Sequence, residues 1–214
     1  YPGIAGTIRS DMSNLKTLLK LTPLPGLKDR VDEYIEEISK AFELEADYLR
    51  EAEHQEIFGR FVESIDGVVV PSPVPELCRK DLLVMDRLEG LLLKDAWATL
   101  DQDERNNVGE RFVDFFAQTF HYHQWVYGDP HPGNFLYLNS GELGVLDFGC
   151  ARPVEAERTD LYLQLLQAMW ADDGEWMTQI YIDLGFARGE VVMSPDALLE
   201  FNRIALAPFV DEGP

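Results

Sequence analysis

Residues 128–149 read Gly128-Asp129-Pro130-His131-Pro132-Gly133-Asn134-Phe135-Leu-Tyr-Leu-Asn-Ser-Gly141-Glu-Leu143-Gly-Val-Leu146-Asp147-Phe148-Gly149. Pro130 and Pro132 each fix a φ angle and disfavour helix at the residue before them. Gly133 permits a turn just ahead of Asn134. The result is a stiff loop with a carboxylate at one end and an amide at the other. Asp147 follows at the end of an apolar run, Leu143 to Leu146. A carboxylate leaving a buried strand needs a partner, and a divalent cation is a good one. Asp129 is placed to orient a hydroxyl or a water, and Asn134 and Asp147 to hold Mg²⁺ against phosphates. Taken alone, Asp, Pro, Gly and Asn are also the usual residues of a surface turn. It is the second Asp, at this distance and across a hairpin, that favours the nucleotide–metal reading.

Around this run the chain alternates helix with short strands. Residues 4–21 carry Ile8, Met12, Leu15 and Leu19 on one helical side, and Thr22-Pro23-Leu24-Pro25-Gly26 ends that helix. A longer helix is predicted over 27–61, with an apolar stripe through Val31, Ile35, Ile38 and Phe42, then Leu49 and Ala52. Glu45 falls on that stripe, where a carboxylate is costly unless paired. Asp47 and Glu51 share the same acidic region and carry a weaker signal. Val68 to Val70 and Leu82 to Met85 read as short strands, separated by an extended segment containing Pro71, Pro73 and Pro75. Residues 86–90 read as a connector, 91–97 as a helix, and 101–123 as a helix burying Val108, Phe112, Phe115, Thr119 and Phe120. Phe135 to Leu138 and Leu143 to Leu146 form a hairpin around Asn139-Ser140-Gly141. Helices close the chain near 156–171, 174–185 and 195–207.

Composition narrows the function classes. The chain has 214 residues, 46% of them apolar, enough for a core. Its net charge of −21, from 39 acidic and 18 basic residues, argues against nucleic-acid binding and against a basic patch for anionic lipid. Cys78 and Cys150 form no CxxC pair, which fits a reducing compartment. No apolar run is long enough to span a membrane. His121 and His123 are two apart and cannot share a helix face as metal ligands, while His131 is placed to stiffen its loop by hydrogen bonding. The start, Tyr1-Pro2-Gly3-Ile4, and the end, at Pro214, read as the interior of a longer chain.

The Asp129…Asn134 spacing and the Asp147-Phe148-Gly149 triplet are those of kinase catalytic and metal-holding loops. Glu45 then stands where a kinase helix presents a Glu to the phosphate-binding Lys, and Met85 and Leu88 flank a connector where adenine would be contacted. The expected fold is α+β and protein-kinase-like. Residues 1–86 form a partial N-terminal lobe with a long αC-like helix, and residues 87–214 a helical C-terminal lobe with the catalytic loop.

Glu45-Ala-Asp47-Tyr-Leu-Arg-Glu51-Ala resembles the E-x-D segment of the UbiB-type atypical kinases, the AarF-domain or ADCK family. Gly128 to Asn134 and Leu146 to Gly149 resemble that family's catalytic loop and metal motif, where ordinary protein kinases carry H-R-D. Tyr1-Pro2-Gly3 resembles the segment following the family's ATP-binding Lys, so the resemblance spans about residues 1–185. It implies ATP and Mg²⁺ as cofactors and a kinase-like protein, either an ATPase or a small-molecule or lipid-directed phosphotransferase. It also implies support of isoprenoid quinone (ubiquinone) biosynthesis. In that reading Asp129, Asn134 and Glu45 are catalytic, Met85, Leu88 and Asp147 bind the nucleotide, and Asn134 and Asp147 bind the metal. The implied partners are a nucleotide and a quinone precursor or lipid, within a membrane-associated complex. The implied location is the cytoplasm beside a bacterial inner membrane, or a mitochondrion or plastid. The family's nucleotide loop, Lys and K-x-G-Q segment would precede Tyr1, and no A-P-E follows Asp147-Phe148-Gly149. Two other readings stay open. One is a pseudokinase or lipid-binding scaffold, the other an aminoglycoside- or choline-kinase-like phosphotransferase.

Overall fold

A computed structural model describes residues 47–186 and 194–210, the side chains of 207–210 excepted, together with Leu15, Val31 and Ile35. The expected helix over 4–21, most of the first half of the 27–61 helix, and Glu45 lie outside the described residues. Two compact units are present. One is residues 1–119 with 126–152, and the other is 120–125 with 153–214; the 86–90 connector lies inside the first.

In the first unit, helix α1 runs Tyr48–Val62. Asp47 caps it from extended backbone (φ −100°, ψ 91°), its side chain accepting the Leu49 N–H at 3.2 Å. A short acidic side chain satisfies a free N–H at a helix start and favours the positive end of the helix dipole. The uninterrupted helix expected over 27–61 is therefore corrected, since a helix begins afresh at Tyr48. The restart also changes which residues face inward. Leu49, expected on the apolar stripe, is 44% exposed, whereas Glu51, Ala52, His54, Gln55, Phe58 and Val62 are buried.

Four short strands form one sheet in the order β1-β5-β4-β2. β1 (Val68–Val69) pairs parallel to β5 (Leu143–Val145), and β4 (Phe135–Leu138) pairs antiparallel to both β5 and β2 (Gly90–Leu92). The β4–β5 hairpin turns through Gly141, whose φ of +86° favours glycine. Gly90, expected to end the connector, and Leu91 and Leu92, expected to begin a helix, are strand instead. Pairing with β4 overrides helix propensity there, and only Leu93–Ala96 continues as the short helix α2. The expected strand at 82–85 is reduced to isolated bridges, Pro73 with Met85 and Arg79 with Leu82. Val74 N–H donates to the Val84 carbonyl at 2.8 Å, and Asp86 N–H to the Ser72 carbonyl at 2.9 Å. Pro71, Pro73 and Pro75 alternate with these positions, so they leave this pairing intact and remove the donors on the segment's opposite side.

Helix α3 (Gln102–His121) buries Val108, Phe115 and Thr119, close to the face expected from its periodicity. Its first turn is a capping box: Asp101 accepts the Glu104 N–H and Glu104 accepts the Asp101 N–H, both at 2.9 Å. The short strands β3 (Trp125–Val126) and β6 (Arg152–Pro153) flank the 127–151 segment.

The core of the first unit is aromatic. Phe58, Phe115, Tyr127, Phe135 and Phe148 are all at most 1% exposed. Phe58 lies with ring centroids 5.0 Å from Phe148, 5.9 Å from Phe115 and 6.2 Å from Tyr127, and Tyr127 lies 5.6 Å from Phe148 and 5.8 Å from Phe135. These tilted and edge contacts suit the ring quadrupoles and join α1, α3, the catalytic loop and the hairpin in one cluster.

The second unit holds three helices, α4 (Ala156–Trp170), α5 (Gly174–Asp183) and α6 (Pro195–Val210), near the expected positions. Leu165, Ala168, Met177, Ile180, Leu184 and Leu198 form its core. Asp173 caps α5 by accepting the Trp176 N–H at 3.0 Å, and Asn202 donates to the Met169 carbonyl at 2.8 Å.

Truncating the ring at the centre of the aromatic cluster should be costly. Phe58→Ala is expected to lower unfolding stability by about 3–5 kcal/mol, measured by urea denaturation, because a cavity opens among rings that cannot collapse into it.

Candidate functional site

Asp129 and Asn134 meet across their loop. Asn134 Nδ2 donates to Asp129 Oδ2 at 2.9 Å and lies 3.3 Å from the Asp129 carbonyl. The intervening turn is a single 3₁₀ turn, Pro132–Asn134, capped by His131, whose Nδ1 accepts the Gly133 N–H at 3.0 Å. This is the stiffening role expected of His131. The loop is then tied to the hairpin, since Leu146 N–H donates to the Asn134 carbonyl at 3.0 Å. Gly128, with φ +89°, lets the start of the loop pass the residues after Asp147. A Cβ there would sit 2.5 Å from the Cys150 carbonyl oxygen, so no other residue fits without a backbone shift.

Asp147 occupies the turn after β5 and accepts the Gly149 N–H through Oδ1 at 2.9 Å. It converges on the Asp129–Asn134 pair at Tyr127. Burial, then the charges of Asp147 and Asp129, hold the Tyr127 phenol far above its ordinary value, partly offset by Asn134 and the Asp147 backbone. The Tyr127 hydroxyl is thus a buried, neutral group within electrostatic reach of both carboxylates. Among the described residues it has no hydrogen-bond partner in good geometry.

Glu51 completes the acidic cluster. It is 9% exposed on the buried face of α1, and its carboxyl is pushed up to about 7 by burial first, then by the charge of Asp147, with the Phe148 backbone amide pulling the other way. Three residues on, His54 Nδ1 lies 3.1 Å from the Phe148 carbonyl oxygen, and burial holds this imidazole below its ordinary range. One further residue on, Gln55 Nε2 donates to the Pro71 carbonyl and lies 3.2 Å from Met85 Sδ. A single face of α1 therefore reaches the Asp147 turn at one end and the Met85 side at the other. Met85 is 36% exposed, and Leu88 is half-buried against β5, its Cδ1 3.1 Å from where a Cβ on Gly144 would lie.

Of the residues expected from sequence, Asp129, Asn134 and Asp147 are brought together around Tyr127. Met85 and Leu88 lie along the sheet side of the same unit, and Glu45 is outside the described residues. Asp47, in the E-x-D segment, serves as the α1 cap and lies 3.9 Å from Lys80 Nζ. His54 and Tyr127 did not stand out in the sequence, and Glu51 carried only a weaker signal than Glu45. The signal for Glu51 was the cap: with α1 starting at Tyr48, Glu51, Gln55, Phe58 and Val62 recur at helical spacing on its buried face.

The donor set suits a hard divalent cation. The Asn134 amide nitrogen is committed to Asp129, which leaves its oxygen to act as a ligand beside Asp147. Two oxygen ligands, with phosphate and water oxygens filling the rest, is how Mg²⁺ is commonly held. The crowding of Glu51 against Asp147 marks a place where positive charge would be stabilised. Among the described residues no cluster of three or more His, Cys, Asp or Glu forms a self-sufficient metal cage.

The ABC1 atypical kinase-like domain matches residues 1–181. The chain belongs to this family. Its ABC1 relatives include the mitochondrial atypical kinase COQ8B of Rattus norvegicus, 31% identical over all of this chain and 40% of the relative. The atypical kinase COQ8 of Saccharomyces cerevisiae is 27% identical over 88% of this chain and 38% of the relative, and the probable protein kinase UbiB of Pseudomonas putida 30% identical over 72% and 30%. The chain thus spans well under half the length of these relatives. Among solved structures, the Rv3197–erythromycin complex from Mycobacterium tuberculosis superposes with a TM-score of 0.70 over 99% of this chain and 54% of that one, at 22% identity. The fold is the expected α+β, kinase-like one. As an ABC1 domain the chain falls in a kinase-like class in which nucleotide binding is the common theme. Among the described residues no helix is long and apolar enough to cross a membrane.

The raised Glu51 carboxyl predicts a pH dependence. Between about 4.5 and 7 the folded state holds a proton that the unfolded chain has lost, so this group's contribution to stability falls as pH rises through that window. Glu51→Gln should change the urea midpoint little at pH 5 and raise it at pH 8, in the absence of metal and nucleotide. His54 acts in the opposite direction, so the comparison of the variant with the parent at each pH isolates Glu51.

Proposed function

We propose that this chain is the phosphate- and metal-handling part of an atypical kinase that acts on ATP with Mg²⁺. The observation that carries this reading is the Asp129–Asn134 hydrogen bond, with Asp147 converging on the same buried phenol. In phosphoryl transfer the protein contributes chiefly positioning and electrostatics, and these residues supply both.

Asp129 is the group that orients the attacking hydroxyl or water and accepts its proton. Its bond to Asn134 fixes the carboxylate's direction and leaves one carboxylate oxygen, Oδ1, for the nucleophile. Asn134 and Asp147 would hold Mg²⁺, which when bound neutralises charge on the phosphate oxygens. Glu51, crowded against Asp147, is the acceptor for a cationic side chain that would also face the phosphates, the role expected from sequence of Glu45. Met85 and Leu88 are assigned to the adenine end, which Gln55 ties to the helix carrying Glu51. The physiological role proposed is support of isoprenoid quinone biosynthesis, through an ATPase or a small-molecule or lipid-directed phosphotransfer beside a membrane. That part rests on the family resemblance, and the relatives with mitochondrial, chloroplastic and bacterial names are compatible with it.

Calorimetry and turnover on the full-length protein test the reading. Asp147→Asn should weaken Mg²⁺–ATP binding by about tenfold or more, because a charged oxygen ligand is lost. Asp129→Asn should lower turnover by roughly 10²-fold or more while leaving binding nearly unchanged, as expected for a group acting on the nucleophile. Absence of Mg²⁺–ATP binding by the parent would overturn the reading in favour of a non-catalytic scaffold.

A further inference from the structure

The peptide group joining Phe148 to Gly149 is held at both ends. Its carbonyl oxygen faces His54 Nδ1 at 3.1 Å, and its N–H donates to Asp147 Oδ1 at 2.9 Å. A carbonyl oxygen only accepts, so the hydrogen is on Nδ1 and His54 is the donor. The peptide is a rigid plane, so turning its carbonyl turns its N–H by the same angle. The same carbonyl also accepts the Ala151 N–H at 3.1 Å, but that bond is internal to the turn and moves with it. His54 is different, because it ties the plane to α1, the helix that presents Glu51. It is 7% exposed and lies three residues from Glu51, whose carboxylate faces the Phe148 N–H. One helix thus grips the Phe148 backbone on both sides while the Phe148 ring is packed against Phe58 and Tyr127.

We propose that His54 is a positioning residue for Asp147, fixing the Phe148–Gly149 peptide plane so that the Gly149 N–H aims the Asp147 carboxylate. The proposal rests on the reading of Asp147 as a metal ligand for its functional consequence, but not for its geometry. His54 contacts neither nucleotide nor metal in this role. It acts through one peptide group, and only a donor at the distance of Nδ1 from the helix can replace it. The Asn side chain places its Nδ2 at that distance, the Gln side chain carries its amide one bond too far, and Leu has no donor.

The test uses His54→Asn, His54→Gln and His54→Leu in the full-length protein, with two readouts. The first is amide hydrogen exchange at Gly149 without nucleotide or metal, with residues 108–119 of α3 as an internal reference. The second is the Mg²⁺ concentration needed for half-maximal ATP binding. His54→Leu and His54→Gln should speed Gly149 exchange by about tenfold, the scale of one lost hydrogen bond, and raise the Mg²⁺ requirement, with α3 unchanged. His54→Asn should stay within about threefold of the parent in both, since it keeps the donor in place. Unchanged Gly149 exchange in His54→Leu would overturn the proposal, as would equal behaviour of the Asn and Gln variants. If His54→Leu loosens the reference helix as well, the Asn and Gln pair decides by the same criterion. If the parent binds no Mg²⁺–ATP but Gly149 exchange still follows this order, the metal reading fails and the positioning of Asp147 by His54 stands.

Discussion

Buried aromatic rings fix where the polar chemistry of the first unit can be. Asp147 immediately precedes Phe148, Asn134 immediately precedes Phe135, and Asp129 follows Tyr127 by two residues. Each of these rings is at most 1% exposed; Phe148 packs on Phe58, Tyr127 on Phe58 and Phe115, and Phe135 on Tyr127 and Phe112. A polar residue beside an anchored ring has little freedom, because the ring's position sets the backbone from which the polar side chain departs. α1 contributes in the same way, with Phe58 in the cluster and Glu51, His54 and Gln55 one to two turns earlier on the same face. The hydrophobic effect thereby sets the geometry of a site made of carboxylates and amides.

The site so assembled is electrostatically expensive. Glu51, Asp129 and Asp147 bring three carboxyls to partly or largely buried positions, and burial first, then the charges of Asp147 and Asp129, keeps the Tyr127 phenol neutral. A fold that optimised only its own stability would avoid this arrangement. Its retention is intelligible if a cation completes the site, since positive charge turns mutual repulsion into shared attraction. The net charge of −21 over the whole chain acts in the same sense over longer range, although salt screens it beyond about 8–10 Å.

Two corrections show how local pattern and tertiary context compete. The apolar stripe from Val31 to Ala52 read as one helix because its 4-3-4 rhythm persists, but Asp47 adopts an extended backbone and caps a new helix. That restart brought Glu51 rather than Leu49 to the inside. Residues 91–97 read as a helix, yet the open edge of β4 recruits Leu91 and Leu92, with Gly90, as a strand. Cross-strand pairing is invisible to a reading that considers only neighbours in the chain.

The sequence by itself determined the α+β class, the hairpin around Gly141, the helical second unit and the loop that joins Asp129 to Asn134. These depend on proline, glycine and periodic apolar residues, whose effects act over a few positions. It also carried the family resemblance, because motif spacing along the chain survives when overall identity is low. The roles of Glu51, His54 and Tyr127 were decided only by the tertiary structure. Motifs lie near Glu51 and Tyr127 in sequence but do not show these roles, since Glu51 and His54 act on a turn nearly a hundred residues away and Tyr127 owes its perturbed phenol to burial and two separate loops. Burial and charge proximity are properties of packing, and packing is settled only when distant segments meet.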